Sequence, residues 1–537
     1  MATWDTAAFR WAWPALQIES MSEYTAIAFA PVQGFIEKSR KLRDLFGASL
    51  ILSYLSYKLV KQAEKSGFNV ISPGSPNIQK GMPNRILLKG EGKFSRNDAK
   101  NTIQTEWQKI LEKCQFWIEQ NVPAKEQYYW QQEWMRWGLY SWEIFWGHGD
   151  SIESAMKDLE TRKLRRDWTA INWIGDSSSL TGTDAIAWPR LGLEDSNPGR
   201  QLSNEEKVEL KDFYQRLSCV LENLPPDGKP EGKFLAPNER LSIPELVKRL
   251  VTRDEDIARN IGISPLETGF SDIIREPEHW TGWFMGDGDK VGQKLQEIAK
   301  EKGDEGLKNF SEAMRNWGGK FIKDFPKDLG RVVYAGGDDF LGVIYSTKRE
   351  KPPEPIEALE WLMKLSDTWK QHGQDINLSV GFVWAGHSVP QRDILQHCRE
   401  AEKIAKNLGR DRVTIRVVFN SGQYVQWTCP WDYLHILKQY KDRDGKTWNQ
   451  KPNWSHVYKD LAHLKTRHAI SFNPKEKQPD DRLALSLFQL YFQDQDNLKK
   501  NWKQIVADYQ NPEQPIIYWI SDLINVGWQL CSNISSL

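Results

Sequence analysis

The sequence predicts an α+β protein made of two βαββ units, with helical regions between them and after them. Three observations lead there. An apolar run from Tyr24, YTAIAFAPVQGFI, gives way at Pro31 and Gly34 to a helical pattern and then to two short apolar runs. The same order returns at residues 279 to 345. Residues 100 to 190 and those beyond Pro430 carry mostly helical patterns. At 537 residues the chain has length for three or four domains of about 150 residues.

In the first unit, the helix is expected from about Phe35 to Lys65, followed by strands in FNVISP and NRILLKG on either side of the turn-rich PGSPNIQKGMP. The Trp-rich stretch that follows contains YYWQQEWMRWGLYSWEIFW, which reads as core and interdomain packing ahead of aromatic platforms for bases. Loop signals in LEDSNPGRQLS and LPPDGKPEGKFLAP mark a boundary. The second unit is more regular. HWTGWFMGDGDK is a strand ending in acids, 291 to 324 a helix, and GRVVYAGGDDFLGVIY two strands about a tight turn. A helix at 354 to 371, a strand at 376 to 385, a helix at 392 to 408 and a strand at 412 to 418 complete a βαββαβαβ order, which implies a mixed sheet. Further helices are expected near 431 to 440, 454 to 465, 481 to 505 and 514 to 528.

Composition narrows the function classes. The 72 basic and 72 acidic side chains cancel, so no global polycation drives nucleic-acid or membrane adhesion. The local run KSRKLR, 38 to 43, is read first as a solvated helix face. No apolar stretch approaches the ~18 residues that span a bilayer. Residues 1 to 23 show no basic, then apolar, leader pattern, so a cytoplasmic location is expected. The five scattered cysteines, without any CxxC, suit buried thiols in a reducing compartment.

The chemistry is expected at the acidic strand ends. Asp287 and Asp289 close one strand, and Asp338 and Asp339 occupy the turn between two others, 51 positions beyond Asp287, which leaves room for one crossover helix. Two carboxylates about 4 Å apart repel by roughly 4 kcal/mol at an effective dielectric of 20, so a cluster calls for cations or raised pKa values. Oxygen ligands without His or Cys suit Mg²⁺ or Mn²⁺ and, with substrate phosphates, phosphoryl or nucleotidyl transfer. Gly336 and Gly337 leave the backbone open to a bulky phosphate. GGDD alone would equally make a plain hairpin turn. In KNLGRDR, Lys406 and Arg410 could hold a triphosphate tail, or simply cap a helix that stops at Gly409.

The strand-end Asp, the GGDD hairpin and EAEKIAKNLGRDRV together resemble the palm of GGDEF-class nucleotide cyclases. Within that superfamily, APVQGFIEKSRKLRDLFGASLILSYL (30 to 55), PNRILL (83 to 88), ERLSIPELVKRL (239 to 250), GDGDKVG (286 to 292) and YAGGDDF (334 to 340) are similar to the Cmr-type large polymerase/cyclase subunit of type III CRISPR effector complexes. The resemblance runs in order from residue 24 to about 420. It implies two ferredoxin-like palms, the first degenerate: residues 1–100, a helical Trp-rich insert over 101–235, the GGDD palm over 236–425 and a helical domain over 426–537. It also implies a cytoplasmic complex with guide RNA, target RNA and other subunits, in which target RNA triggers conversion of ATP to cyclic oligoadenylates. By the same resemblance Asp287 and Asp338 would be the main metal ligands, helped by the Gly288 carbonyl and Asp339. Lys406 and Arg410 would contact phosphates, and Ser49 a second ATP across the palm interface.

Two departures qualify that picture. About 23 residues precede the first palm and the chain has no His-Asp dipeptide, so no HD-type DNase activity is expected. Ser242, Ile243, Pro244 and Glu245 stand where many relatives carry zinc-binding cysteines, which makes a structural zinc unlikely. Three other readings use the same residues: a diguanylate cyclase taking GTP, transfer of AMP to another acceptor such as S-adenosylmethionine, and a scaffold of an RNA-guided complex without turnover.

Overall fold

A computed structural model of the chain describes residues 23–74, 76, 78, 81, 83–90, 94–166, 176–193, 201–253, 255–262, 272–348, 350–470, 481–507 and 515–532. Residues 1–22, parts of the turn segment at 73–83 and most of the boundary loop at 193–203 lie outside that set, so the expectations placed on them stay as sequence readings.

Two sheets organise the molecule. The first contains β1 (Tyr24–Ala30), β2 (Asn69–Ser72), β3 (Arg85–Lys89) and β4 (Glu143–Gly149) in the order β2-β3-β1-β4. The second contains β5 (Thr281–Gly288), β6 (Gly330–Ala335), β7 (Asp339–Ile344), β8 (Leu378–Ala385), β9 (Arg412–Val418) and β10 (Tyr424–Pro430), ordered β10-β9-β8-β5-β7-β6. In each, the fourth strand lies beside the first and the third separates the first from the second. Both therefore share one βαββαβ core, the ferredoxin-like arrangement. β9 then joins β8 in parallel, giving the mixed sheet that the interspersed hairpin foretold.

Three expectations need correction. The first palm does not close by residue 100, because its fourth strand is β4, inside the stretch read as helical. All five residues from Glu143 to Gly147 are buried, so the period-2 alternation that announces a half-buried strand is missing. β10 was unrecognised as well, and it straddles the boundary expected at 425. Finally, the helix expected from Phe35 to Lys65 is two helices, Gln33–Glu37 and Leu42–Lys65, broken where the Asp44 carboxylate accepts from the backbone N–H groups of Arg40 and Lys41.

Alternation along the strands sorts the core. Phe284 on β5 and Phe340 and Ile344 on β7 face the helices Val291–Asp324 and Pro355–Lys370, where Trp317, Phe321, Leu362 and Trp369 meet them. Trp283, Leu341 and Val343 point the other way, toward Leu42 and Leu45 of the first palm's helix and toward Ile394 and Cys398 of the helix Gln391–Asn407. Helix Leu42–Lys65 is thus wedged between the sheets. Trp107, Trp130, Trp134, Trp142 and Trp146 are buried on the first sheet's helical side, so these tryptophans are packing residues. All five cysteines are buried and free.

Where cysteines were discounted, a buried ionic knot holds the chain together. Arg249, 1 % exposed, donates from Nε to Asp44 at 2.8 Å and from Nη1 to Glu239 at 2.7 Å. It pins the helix Ile243–Arg253 to the wedged helix. Among the described residues no helix is long and apolar enough to cross a membrane.

Candidate active site

The acidic residues converge through strand register. Asp287, the penultimate residue of β5, lies directly opposite Asp339, the first residue of β7. Both continue the alternation of Trp283, Met285, Leu341 and Val343, so they share the sheet face between the wedged helix and the helix Gln391–Asn407. The backbone N–H of Gly288 donates to the Asp338 carbonyl at 2.8 Å, and that of Gly336 to the Asp339 carbonyl at 3.1 Å. The first bond ties the GGDD hairpin to the end of β5, and the second closes the hairpin itself. A Cβ on Gly288 would lie 2.8 Å from Val291 Cγ2 and 3.3 Å from the Asp338 Cβ, so the close approach of strand end and hairpin needs glycine there. Gly337 stands in open space.

Burial raises the pKa of the Asp338 carboxyl, and the Asp287 charge raises it further. Asp339 is raised by burial and then by the charges of Asp338 and Asp287. The residue is nevertheless exposed, because it lines the cleft between the two sheets. Burial also raises Asp287, against the opposing pull of Lys406. Like charges in a recess of this kind are stabilised by a cation.

Lys406 supplies one. Its Nζ lies 2.5 Å from Asp287 Oδ2 and 2.5 Å from Glu402 Oε1, one turn earlier on the same helix. Among the described residues no group of three or more His, Cys, Asp and Glu side chains is drawn together as a metal site. The donor chemistry is that of a hard divalent ion, since the side chains are carboxylates and Asp287 lies opposite Asp339, with Asp338 next to it in the hairpin.

Asp289 belongs elsewhere. Buried, it accepts from Ser379 Oγ at 2.7 Å and from the Asp411 backbone N–H at 2.9 Å. Arg410 is 4.0 Å from Asp289 and half-exposed, with φ of 64°. Its backbone N–H donates to the Ala405 carbonyl, so this segment is also the helix C-terminal cap. Of the two cations read from KNLGRDR, the structure brings Lys406 to the carboxylates and leaves Arg410 on the adjoining loop.

Asp339, Gly336 and Tyr334 form one wall of a cleft of about 550 Å³ between the two sheets. Ser49 and Ser53 of the wedged helix line it from the first palm, joined by Arg85, Lys163 and Arg166. Lys163 and Arg166 come from the end of the helix that follows β4, an element absent from the sequence reading. Arg166 pairs with Glu143 at 2.6 Å and Arg85 with Glu160 at 2.9 Å. Asp339 thus faces a first-palm wall that carries three cationic side chains, each paired with a glutamate.

Sequence reasoning also missed Arg315. Its guanidinium, 2 % exposed, donates to the Gly81 carbonyl at 2.8 Å and lies 3.5 Å from the Gly336 carbonyl. An arginine among the apolar positions Leu307, Phe310, Met314, Trp317 and Phe321 was the one available signal.

Comparison with known proteins follows this division. Residues 281–414 match the family model of the Cas10/Cmr2 second palm domain, and residues 24–80 match that of the N-terminal region of CRISPR-associated protein Cmr2. A 140-residue stretch is 26 % identical to the CRISPR system Cmr subunit Cmr2 of Pyrococcus furiosus, covering 24 % of this chain and 15 % of that protein. Among solved structures, a type III-B Cmr-beta complex in its apo state contains a chain of the same fold. It aligns over 95 % of this chain and 81 % of its own with a TM-score of 0.53 at 11 % identity. A Csm1-Csm4 cassette in complex with one ATP aligns over 95 % of this chain and 70 % of its own, with a TM-score of 0.46 at 14 % identity. The two matched regions span 134 and 57 of the 537 residues, so the chain carries segments similar to the Cas10/Cmr2 second palm domain and to the Cmr2 N-terminal region.

Proposed function

We propose that this chain is the nucleotide-joining subunit of a type III CRISPR effector complex and that it converts ATP to cyclic oligoadenylates when the complex binds target RNA. The observation that carries the reading is the pairing of Asp287 with Asp339 at the GGDD hairpin, where Asp339 opens into a cleft that Arg85, Lys163 and Arg166 line from the first palm. Guide RNA and other effector subunits are partners on this reading, which the similarity to a CRISPR system Cmr subunit and to a chain of a type III-B Cmr-beta structure supports.

In the proposed reaction, the 3′-hydroxyl of one ATP attacks the α-phosphate of another and pyrophosphate leaves. Asp287, Asp338, Asp339 and the Gly288 carbonyl would hold Mg²⁺ or Mn²⁺. Bound there, such ions acidify the attacking hydroxyl and neutralise charge on the leaving group. Gly336 and Gly337 leave the hairpin backbone free to approach the phosphates. Lys406, which pairs with Asp287 here, would contact the triphosphate, with Arg410 at the loop beyond. Ser49 and the cationic side chains opposite orient the second nucleotide, so positioning and electrostatics carry most of the rate.

Replacing both acids of the hairpin, Asp338→Ala with Asp339→Ala, abolishes product from ATP and leaves complex assembly intact. Undiminished synthesis refutes the site. Product mass separates this reaction from AMP transfer to another acceptor, and comparison of ATP with GTP separates it from diguanylate synthesis. Normal assembly without metal-dependent nucleotide consumption identifies a scaffold.

A further inference from the structure

We infer that Arg315 is a positioning residue that sets the GGDD hairpin against the first palm, fixing the width of the cleft in which two nucleotides must meet. The inference rests on the nucleotide-joining reading and adds to it a residue outside every motif.

Arg315 sits where three elements come together. It projects from the part of the segment Val291–Asp324 that follows a break at Gly303, whose φ of 58° and ψ of −151° are not helical. Its Nη1 is shared between the Gly81 carbonyl of the first palm and the Gly336 carbonyl of the hairpin. The two backbones are in contact there: Gly81 has φ of 75°, and a Cβ on it would lie 3.3 Å from the Gly336 Cα. Beyond Gly81 the chain runs through Pro83 and Asn84 to Arg85, all on the first-palm wall of the cleft. The same helix is fixed to the first palm at two further places. Asp304 accepts from Lys89 at 2.6 Å and from the Tyr24 hydroxyl at 2.9 Å, and Ser311 Oγ accepts from the Gly74 N–H at 2.8 Å.

The consequence is mechanical. A bimolecular joining reaction needs its two reactants held to within a fraction of an ångström, and a misplacement of about 1 Å costs on the order of a hundredfold in rate. A guanidinium gripping one carbonyl on each wall constrains that separation, whereas binding of a single nucleotide to either wall does not depend on it. Arg315 therefore acts on kcat in preference to KM.

The test uses the full chain with Arg315→Gln and Arg315→Lys, and with Gly81→Ala as a perturbation of the same contact from the other palm. Hydrogen exchange of peptides covering 334–340 is read first, because it needs no activity. Exchange there rises about tenfold in Arg315→Gln and in Gly81→Ala, with the core strand β8 unchanged, and falls back toward wild type in Arg315→Lys. In ATP turnover, kcat falls about tenfold or more in Arg315→Gln with KM within about twofold, and Arg315→Lys recovers part of the loss. Unchanged exchange at 334–340 in the folded variants, or a rise in KM at constant kcat, overturns the inference. A wild-type chain without ATP turnover sinks the joining reaction instead, and the exchange data still decide whether Arg315 holds the hairpin.

Discussion

Gly288 donates its backbone N–H to the carbonyl of Asp338, 2.8 Å away, so the strand that carries Asp287 and the turn that carries the other two carboxylates are hydrogen-bonded into one unit. That bond needs the backbones to approach where a methyl group would collide with Val291, Asp338 and Trp369. Gly288→Ala is expected to cost about 1–3 kcal/mol of stability, the usual range for overpacking. It should also spread the carboxylates, so that divalent-ion affinity falls. Mn²⁺ titration followed by electron paramagnetic resonance and a thermal melt check the two effects.

Lys406 neutralises the carboxylates in the absence of a divalent ion. Removing its charge with Lys406→Met leaves Asp287 and its neighbours more negative, so Mn²⁺ binding without nucleotide should tighten severalfold, while ATP turnover falls because the phosphate contact is gone. Weaker Mn²⁺ binding in this variant would mean that the lysine serves only to hold the carboxylates in place.

Acid should destabilise the fold through His372. Packed against Trp369 and Trp317, its imidazole is held neutral by burial, with its pKa down to about 4 from 6.5. The unfolded chain takes up a proton as pH falls through 6.5 and the folded chain does not. The contribution is therefore complete above 6.5 and is lost progressively toward pH 4. The raised carboxyls of Asp338 and Asp339 act in the opposite direction, so the comparison must be with a variant that retains them. His372→Asn keeps an acceptor for the Gln374 N–H, bonded at 2.8 Å, and cannot charge; its melting temperature should fall less between pH 7 and 5 than that of wild type.

The knot around Arg249 is a structural element without a part in the chemistry. Arg249→Met strands two buried carboxylates, Asp44 and Glu239, at an expected cost of about 3–5 kcal/mol. Denaturant unfolding measures it, and a loss under about 1 kcal/mol would show that water relieves the pair.

Much of the second palm was legible in the sequence because its strands are bounded by glycine, proline and acidic punctuation, and its helices keep a 3.6-residue period. The strand expected over 412 to 418 occurs over those residues, and the segment 291 to 324 is helical except for a break at Gly303. β4 was hidden because it is buried on both faces, and with it went the cationic side chains that its following helix brings to the cleft. Asp287, Asp338 and Asp339 could be found because carboxylates at strand ends carry an electrostatic cost that structure alone rarely justifies. Asp289 looked equivalent to Asp287 on spacing; the strand ends at Gly288, and the next residue turns to Ser379 and the 411 N–H. Gly81 left no pattern and Arg315 only its place among apolar helix positions, since their relation exists only after residues 234 positions apart are folded together.

The most direct test is to incubate the purified chain, alone and within its RNA complex, with ATP and Mg²⁺ or Mn²⁺ and to weigh the products. The account predicts metal-dependent cyclic oligoadenylates and pyrophosphate from the wild type and none from the Asp338→Ala, Asp339→Ala chain. Equal product from both chains, or no nucleotide consumed by the wild type in the RNA-bound complex, would contradict it.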